Sequence, residues 1–261
     1  MNKISKNKEN SMIKWISRKY HKLLKSIDKR KNFFFLYKLY KKRGYFGYSL
    51  SQYNQDLFVR AYYADKKPKK SYFFIDIGSN DGFTLSNTYA LEHDNMQNWR
   101  GILIEADEKV FKKSIEYRPN TDKYNVALCN TDGEVQFMAI RGGVQMLSGI
   151  VNEYCKEHLE RIHREIKQDG GSYEIIKMQG AKFETIMKNY PQIQEIDYMS
   201  IDVEGGEMKI LESIDFQKYK INLIGIEDNY PQTSGIKQFL TKKGYKKIAS
   251  MGCDTFFERI K

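Results

Sequence analysis

An apolar run that stops in a glycine turn, Phe73-Phe74-Ile75-Asp76-Ile77-Gly78-Ser79-Asn80-Asp81-Gly82, constrains the fold of this chain more than any other segment. A strand buried on both faces reads as a continuous apolar run, and Gly78 and Gly82 let backbone approach a ligand where a Cβ would collide. A helix-like segment is expected to follow. A second run, Gly101-Ile102-Leu103-Ile104-Glu105, ends in a carboxylate at the place from which doubly wound folds hold ribose hydroxyls. The two runs predict an α/β sheet with two strand ends converging on one nucleotide-type ligand. The glycine spacing is not G-x-G-x-x-G, and no Lys-Ser/Thr pair follows, which argues against a pyrophosphate cradle.

The formal charge of +11 is unevenly spread. Residues 1–70 hold 20 Lys/Arg against 4 Asp/Glu, whereas 71–261 hold 24 against 29. The basic extension predicts an acidic partner, either nucleic acid or an anionic membrane surface. Ile13, Ile16, Tyr20, Leu23, Leu24 and Ile27 recur at helical spacing among lysines and arginines, and the aromatic-rich stretch 33–40 suits a lipid interface. A packed or solvated leader is the competing reading. No run approaches the roughly 20 apolar residues of a bilayer span. Cys129, Cys155 and Cys253 are widely spaced and odd in number, which suggests neither a disulfide framework nor a zinc knuckle and points to a reducing cytoplasm.

Along the chain, residues 1–50 form the extension and 51–261 one domain. Leu57, Phe58 and Tyr62 predict a helix covering one sheet edge. Asp107 is placed to cap a helix that ends before Pro119. A third strand is expected over 124–128. Asp132-Gly133 reads as a hairpin signal before a strand over 135–140. Residues 141–180 break the pattern with Gly142-Gly143, a charged helical stretch and Gly170-Gly171, and are expected to form a mobile lid. Strands over 196–201 and 221–226, helices over 206–214 and 234–243, and a closing antiparallel pair over 246–250 and 255–260 complete the reading.

Asp202-Val203-Glu204-Gly205-Gly206-Glu207 repeats the strand-to-glycine-turn grammar, and one strand later Glu227-Asp228-Asn229 closes another apolar run. Ligands of open α/β sheets sit at such carboxyl ends. Here the chain resembles the FkbM-type methyltransferases, a class I S-adenosylmethionine-dependent family. The carriers are the Asp76 to Gly82 turn, the Gly101 to Asp107 segment, Asn125-Val126-Ala127-Leu128, Phe183-Glu184-Thr185-Ile186 and the Ser200 to Glu207 segment with Ile210-Leu211. The likeness covers about residues 51–260 and leaves the extension outside. It implies a Rossmann-like seven-stranded sheet with an antiparallel C-terminal strand, S-adenosylmethionine as cofactor, and methyl transfer to a hydroxyl, often on a sugar. Carried over by position, Asp76, Gly78, Ser79, Asn80 and Gly82 would line the methionine and ribose side. Glu105 would hold the ribose hydroxyls, Ala106 and Asp107 would lie near adenine, and Asn125 and Ala127 would approach the base, plain strand packing being the alternative for these two.

A hydroxyl acceptor must lose a proton, which calls for a general base or an acidifying metal. Asp202, Glu227 and Asp228 are hard donors of the type Mg²⁺ accepts. Their arrangement is similar to metal-dependent sugar O-methyltransferases, but the His those enzymes carry after the first Asp is replaced by Val203. Glu204 is the nearest substitute base, with His158 or His163 on the lid as others; solvated helix faces and a helix N-terminus are the bland readings for these residues. The reading that follows is a cytoplasmic O-methyltransferase, peripheral on the inner face of a membrane, acting on a glycan or sugar-linked precursor in polysaccharide biosynthesis. An RNA methyltransferase, a nicotinamide-dependent dehydrogenase and a non-catalytic cofactor-binding adaptor are the alternatives.

Overall fold

The computed structural model describes residues 49–94 and 96–260. The amphipathic and aromatic stretches expected within 1–48 lie outside the described residues. Strand β1 (Tyr72–Ile77) is buried along its whole length, as its apolar run requires, and pairs in parallel with β2 (Trp99–Ile104) on one side and β8 (Glu195–Ile201) on the other. With β3 (Asp122–Tyr124), β9 (Lys220–Glu227), β10 (Tyr245–Met251) and β11 (Asp254–Arg259), these make a seven-stranded sheet in the order β10-β11-β9-β8-β1-β2-β3. The last strand, β11, runs antiparallel to both neighbours, as expected. The order reverses between β1 and β8, and at such a point the carboxyl ends of the strands open a crevice.

Alternate residues of β1 face opposite layers. Phe73, Ile75 and Ile77 pack with Phe183 and Ile186 of α5 (Phe183–Met187), Ile210 and Leu211 of α6 (Glu207–Ser213), and Ile236 and Leu240 of α7 (Ile236–Lys242). Tyr72 and Phe74 face Phe58, Val59, Tyr62 and Tyr63 of α1 (Gln55–Ala64). Helix α1 therefore does not cover an edge. It lies over a sheet face, because its aromatics meet side chains from β1, β2, β8, β9, β10 and β11 together.

Three further expectations are corrected. The run over 124–128 is divided: β3 ends at Tyr124, and Ala127–Leu128 (β4) leaves the main sheet to pair with β7 (Gly171–Ala181). The Asp132-Gly133 turn makes no hairpin, since β7 lies between β4 and β5 (Gly133–Gly142) in a second sheet of order β4-β7-β5-β6. After Gly82 only one helical turn forms, α2 (Tyr89–Glu92), preceded by an irregular loop. That loop is bound to the buried Arg118, which follows α3 (Glu108–Tyr117). Its guanidinium reaches Glu92, the Gly82 carbonyl at 3.1 Å and Thr88 Oγ1 at 3.3 Å. Residues 141–180 hold the end of β5, β6 (Gly149–Ile150), α4 (Lys156–Asp169) and β7, with Ile162 of α4 packing on Met138, Ile140 and Leu147.

Candidate active site

The turn after β1 is stitched to both neighbouring strands. The Gly78 and Ser79 amides donate to the Ile104 carbonyl at 2.9 and 3.1 Å, the Asn80 amide donates to Glu105 Oε2 at 2.8 Å, and the Asp202 amide donates to the Ile77 carbonyl at 2.9 Å. Gly78 has φ of +79°, and a Cβ there would collide with the Asp202 carbonyl oxygen. Its bareness thus lets β1 and β8 end side by side, which is a protein contact rather than a ligand contact. Gly82 likewise faces inward, against Arg118, Leu103 and Ser114. Asp76 is sealed beneath Thr88, whose hydroxyl donates to it at 2.6 Å, and burial raises its pKa.

At the end of β2, Glu105 Oε1 accepts from the Asp107 amide at 2.7 Å, so one carboxylate ties two loops. Burial pushes its pKa up to about 7. Asp107 caps α3 by accepting from the Lys109 amide at 2.9 Å, as expected, and also pairs with Arg141 of β5. The Asn125 amide group donates to the carbonyls of Glu105 and Ala106 at 2.9 and 2.8 Å, which fixes the shape of that loop.

At the end of β8 the conditions differ. Glu204 has φ of 57°, a left-handed conformation that is uncommon for a residue with a long side chain, and it is nine-tenths buried. Glu207, the first residue of α6, folds back to accept from the Gly205 and Val203 amides at 3.0 and 3.3 Å, which puts its negative charge at the helix N-terminus. Carboxylate oxygens of Asp202, Glu204 and Glu227 lie within 4.8 Å of one another. Burial, reinforced by the other carboxylates, holds the Asp202 and Glu204 pKa values well above the ordinary range, and raises that of Glu227 to about 8. Asp228 does not join them. As the next residue of an extended chain it points the opposite way, toward Ser234 and Lys247, so the acidic trio is Asp202, Glu204 and Glu227 rather than Asp202, Glu227 and Asp228.

The insertion brings His158 to this cluster. Its Nε2 lies 3.4 Å from Glu204 Oε2, neither atom has a hydrogen-bond partner, and the ring stacks on Tyr154 at 5.2 Å. Burial, with the Arg161 charge, lowers the His158 pKa to about 4, so the ring is neutral near pH 7. His163 is exposed beside Tyr173 and stays away from the cluster.

These walls enclose a cleft of about 370 Å³ at the carboxyl ends of β1, β2, β8 and β9. Gly78, Asn80, Glu105, Ala106, Asp107, Ala127, Asp202, Glu204 and Glu227 line it; Asp76, Ser79, Gly82, Asn125, Asp228 and His158 do not. The cleft also takes Tyr53, Leu85, Glu153, Arg161 and Glu165, which sequence reasoning did not single out as site residues. Glu153 is the most telling, since burial pushes its pKa to about 7. Its sequence neighbours offered no signal, because it reaches the cleft only through the fold of the insertion.

A family model described as the methyltransferase FkbM domain matches residues 76–247. Among solved structures, the METTL16 methyltransferase domain is similar at 14% identity and a TM-score of 0.39, over 78% of this chain; the chain spans 65% of that domain. A ribosomal protein L11 methylase from Lactobacillus delbrueckii subsp. bulgaricus is similar at 8% identity and a TM-score of 0.37, over 79% of each chain. Comparison with curated proteins yields no match.

Proposed function

Because the chain belongs to the FkbM methyltransferase family, we propose that this methyltransferase uses S-adenosylmethionine to methylate an uncharged hydroxyl of a glycan or sugar-linked precursor. The observation that carries the reading is the carboxyl-rich lining of the cleft: among the described residues, seven carboxylic side chains, which ionise toward a cation, line it against one arginine, Arg161. Such a lining attracts a cofactor bearing sulfonium and ammonium charges and repels a polyanion, which disfavours RNA as acceptor. A nicotinamide dinucleotide, with its two phosphates, fits the same lining poorly.

The cofactor supplies an electrophilic methyl group and leaves as S-adenosylhomocysteine. Glu105 and the Asn80 and Ala106 backbone form the wall that would receive its nucleoside. Because the displacement is in line, much of the catalysis is positioning of acceptor oxygen against methyl carbon. Glu204 serves as the base: Arg161, 3.6 Å from its Oε2, favours the ionised form, and burial makes that carboxylate a stronger proton acceptor than a solvated one. Neutral His158 stands behind that carboxyl, its Nε2 3.4 Å from the oxygen, and does not itself line the cleft. A second reading is favoured by the proximity of the trio, whose hard oxygens fit Mg²⁺. There Asp202, Glu204 and Glu227 would hold the ion, and it would acidify the acceptor hydroxyl.

The test is release of S-adenosylhomocysteine with a panel of neutral glycans, sugar-lipid precursors and RNA, with and without chelator. Turnover on a neutral hydroxyl that Glu204→Gln reduces supports the proposal; turnover on RNA alone would refute it. Loss of turnover on chelation selects the metal version.

A further inference from the structure

The described chain begins at Ser49, and within four residues Gln52 and Tyr53 already line the cleft. The 48 residues ahead of Ser49 carry 15 Lys/Arg against 2 Asp/Glu, so a strongly basic segment is joined to the fold beside the cleft mouth. Large apolar side chains stand exposed around the same mouth. Tyr53, Leu85 and Met146 line the cleft and are 40, 41 and 45% exposed. Phe83, two residues from Leu85, is also exposed and rests against exposed Tyr117 with ring centroids 5.3 Å apart.

These residues come from the approach to α1, the loop after β1, the insertion and the end of α3, so one loop's chance exposure does not account for them. Leu85 is held outward at φ of 55°, a conformation that costs free energy in a leucine and gains nothing from water. Apolar rim and basic flank together match the two requirements of an interfacial anchor, buried apolar area and attraction to anionic headgroups. Nucleic acid would meet the charge but would leave the aliphatic Leu85 and Met146 without a partner, since its bases stack on aromatics.

We propose that the cleft mouth is a docking face for an anionic lipid bilayer, with Tyr53, Phe83, Leu85 and Met146 entering the interface and the basic segment meeting the headgroups. The proposal rests on the cleft being the methyl-transfer site and narrows its acceptor to one presented from a membrane, as a lipid-linked sugar is. The acidic cleft itself repels the headgroups, so lipid phosphate stays at the rim.

The test uses the full chain with Trp15→Phe, carrying Leu85→Trp, Met146→Trp or, as control, Ile260→Trp. Ile260 follows β11 at the end of the sheet away from the cleft, and Trp99 is buried beyond the reach of lipid. With vesicles of phosphatidylcholine and phosphatidylglycerol bearing brominated chains, the two rim tryptophans should shift to the blue and be quenched, and Ile260→Trp should not. Pure phosphatidylcholine should give neither effect. Quenching should weaken as salt shortens the screening length from about 10 Å at 0.1 M to about 3 Å at 1 M. Leu85→Ser with Met146→Ser should lower the partition coefficient by at least about tenfold. Vesicle binding without rim quenching, quenching at all three positions alike, no vesicle binding, or capture by RNA in preference to vesicles would each overturn the proposal. Cofactor affinity by calorimetry and turnover on a soluble acceptor are read separately, so failure of docking and failure of methyl transfer are told apart.

Discussion

The two glycine turns at the switch point share a backbone conformation and differ in the charge they gather. In the turn after β1, the amides of Gly78, Ser79 and Asn80 are all bonded to the end of β2, and Asn125 braces the loop beyond it. In the turn after β8, Glu204 sits in a left-handed conformation, crowded by Asp202 and Glu227, with an oxygen that accepts no hydrogen bond and faces Arg161 Nη1 at 3.6 Å. Each turn holds one left-handed residue other than glycine, Asn80 at φ of 51° and Glu204 at 57°, and one buried oxygen without a hydrogen bond, Ser79 Oγ and Glu204 Oε2, so what sets the second apart is its gathered carboxylates. Three carboxylates gathered in one buried cluster with raised pKa values mark a site more often than a packing device. The contrast separates a half that shapes the cleft from a half that does chemistry, and substitutions in the two should fail in different ways.

The largest effect is expected where the halves touch. Gly78→Ala places a Cβ against the Asp202 carbonyl at a positive φ, and should cost on the order of 3 kcal/mol or more in urea unfolding. An unchanged midpoint would mean that the turn after β8 yields and that the wall is not rigid. Next comes Glu204→Gln, which should lower turnover about 100-fold, within the range of general base catalysis, while the fold and cofactor affinity hold. A parallel loss of stability would move Glu204 to the structural side. Asn125→Ala removes two hydrogen bonds within the first wall and should cost about 1 to 2 kcal/mol of stability and weaken cofactor binding, without altering the pH dependence of turnover.

The gentlest test is the pH dependence of stability. The folded pKa of Glu227 lies near 8 against an ordinary 4.5, so the folded protein binds more protons than the unfolded chain between those values. This contribution is fully present below about pH 4.5 and is lost as pH rises to about 8. The melting temperature of Glu227→Gln should therefore fall less steeply than that of the parent over this window. Identical slopes would show that the acidic half is not strained by its own charge.

Much of the main sheet was legible because parallel strands buried on both faces write themselves as mainly apolar runs, broken only by Asp76 in Phe73 to Ile77 and by Asn222 in Ile221 to Ile226. The second sheet was not, since β7 exposes most of its length and offers no apolar run, although Tyr173, Ile175 and Ile176 carry strand propensity. The placement of α1 over a face was hidden because one amphipathic helix reads alike over a face or an edge. Glu105, Asp202 and Glu204 could be found at strand ends, whereas Arg161, Glu165 and Glu153 reach the cleft through the insertion. Gly78 was found for the wrong reason: the sequence marks a missing Cβ but not which neighbour fills its place.

The distinction between a shaping half and a charged half is tested most directly by calorimetric titration of S-adenosylmethionine near pH 7 in two buffers of different ionisation enthalpy. Carboxyls whose pKa values are raised by burial and mutual repulsion should ionise when a cationic ligand arrives, so the parent protein should release protons on binding. Glu227→Gln should release fewer, and Asn125→Ala should release as many as the parent at weaker affinity. Binding with no proton release, or release that Glu227→Gln leaves unchanged, would contradict the account.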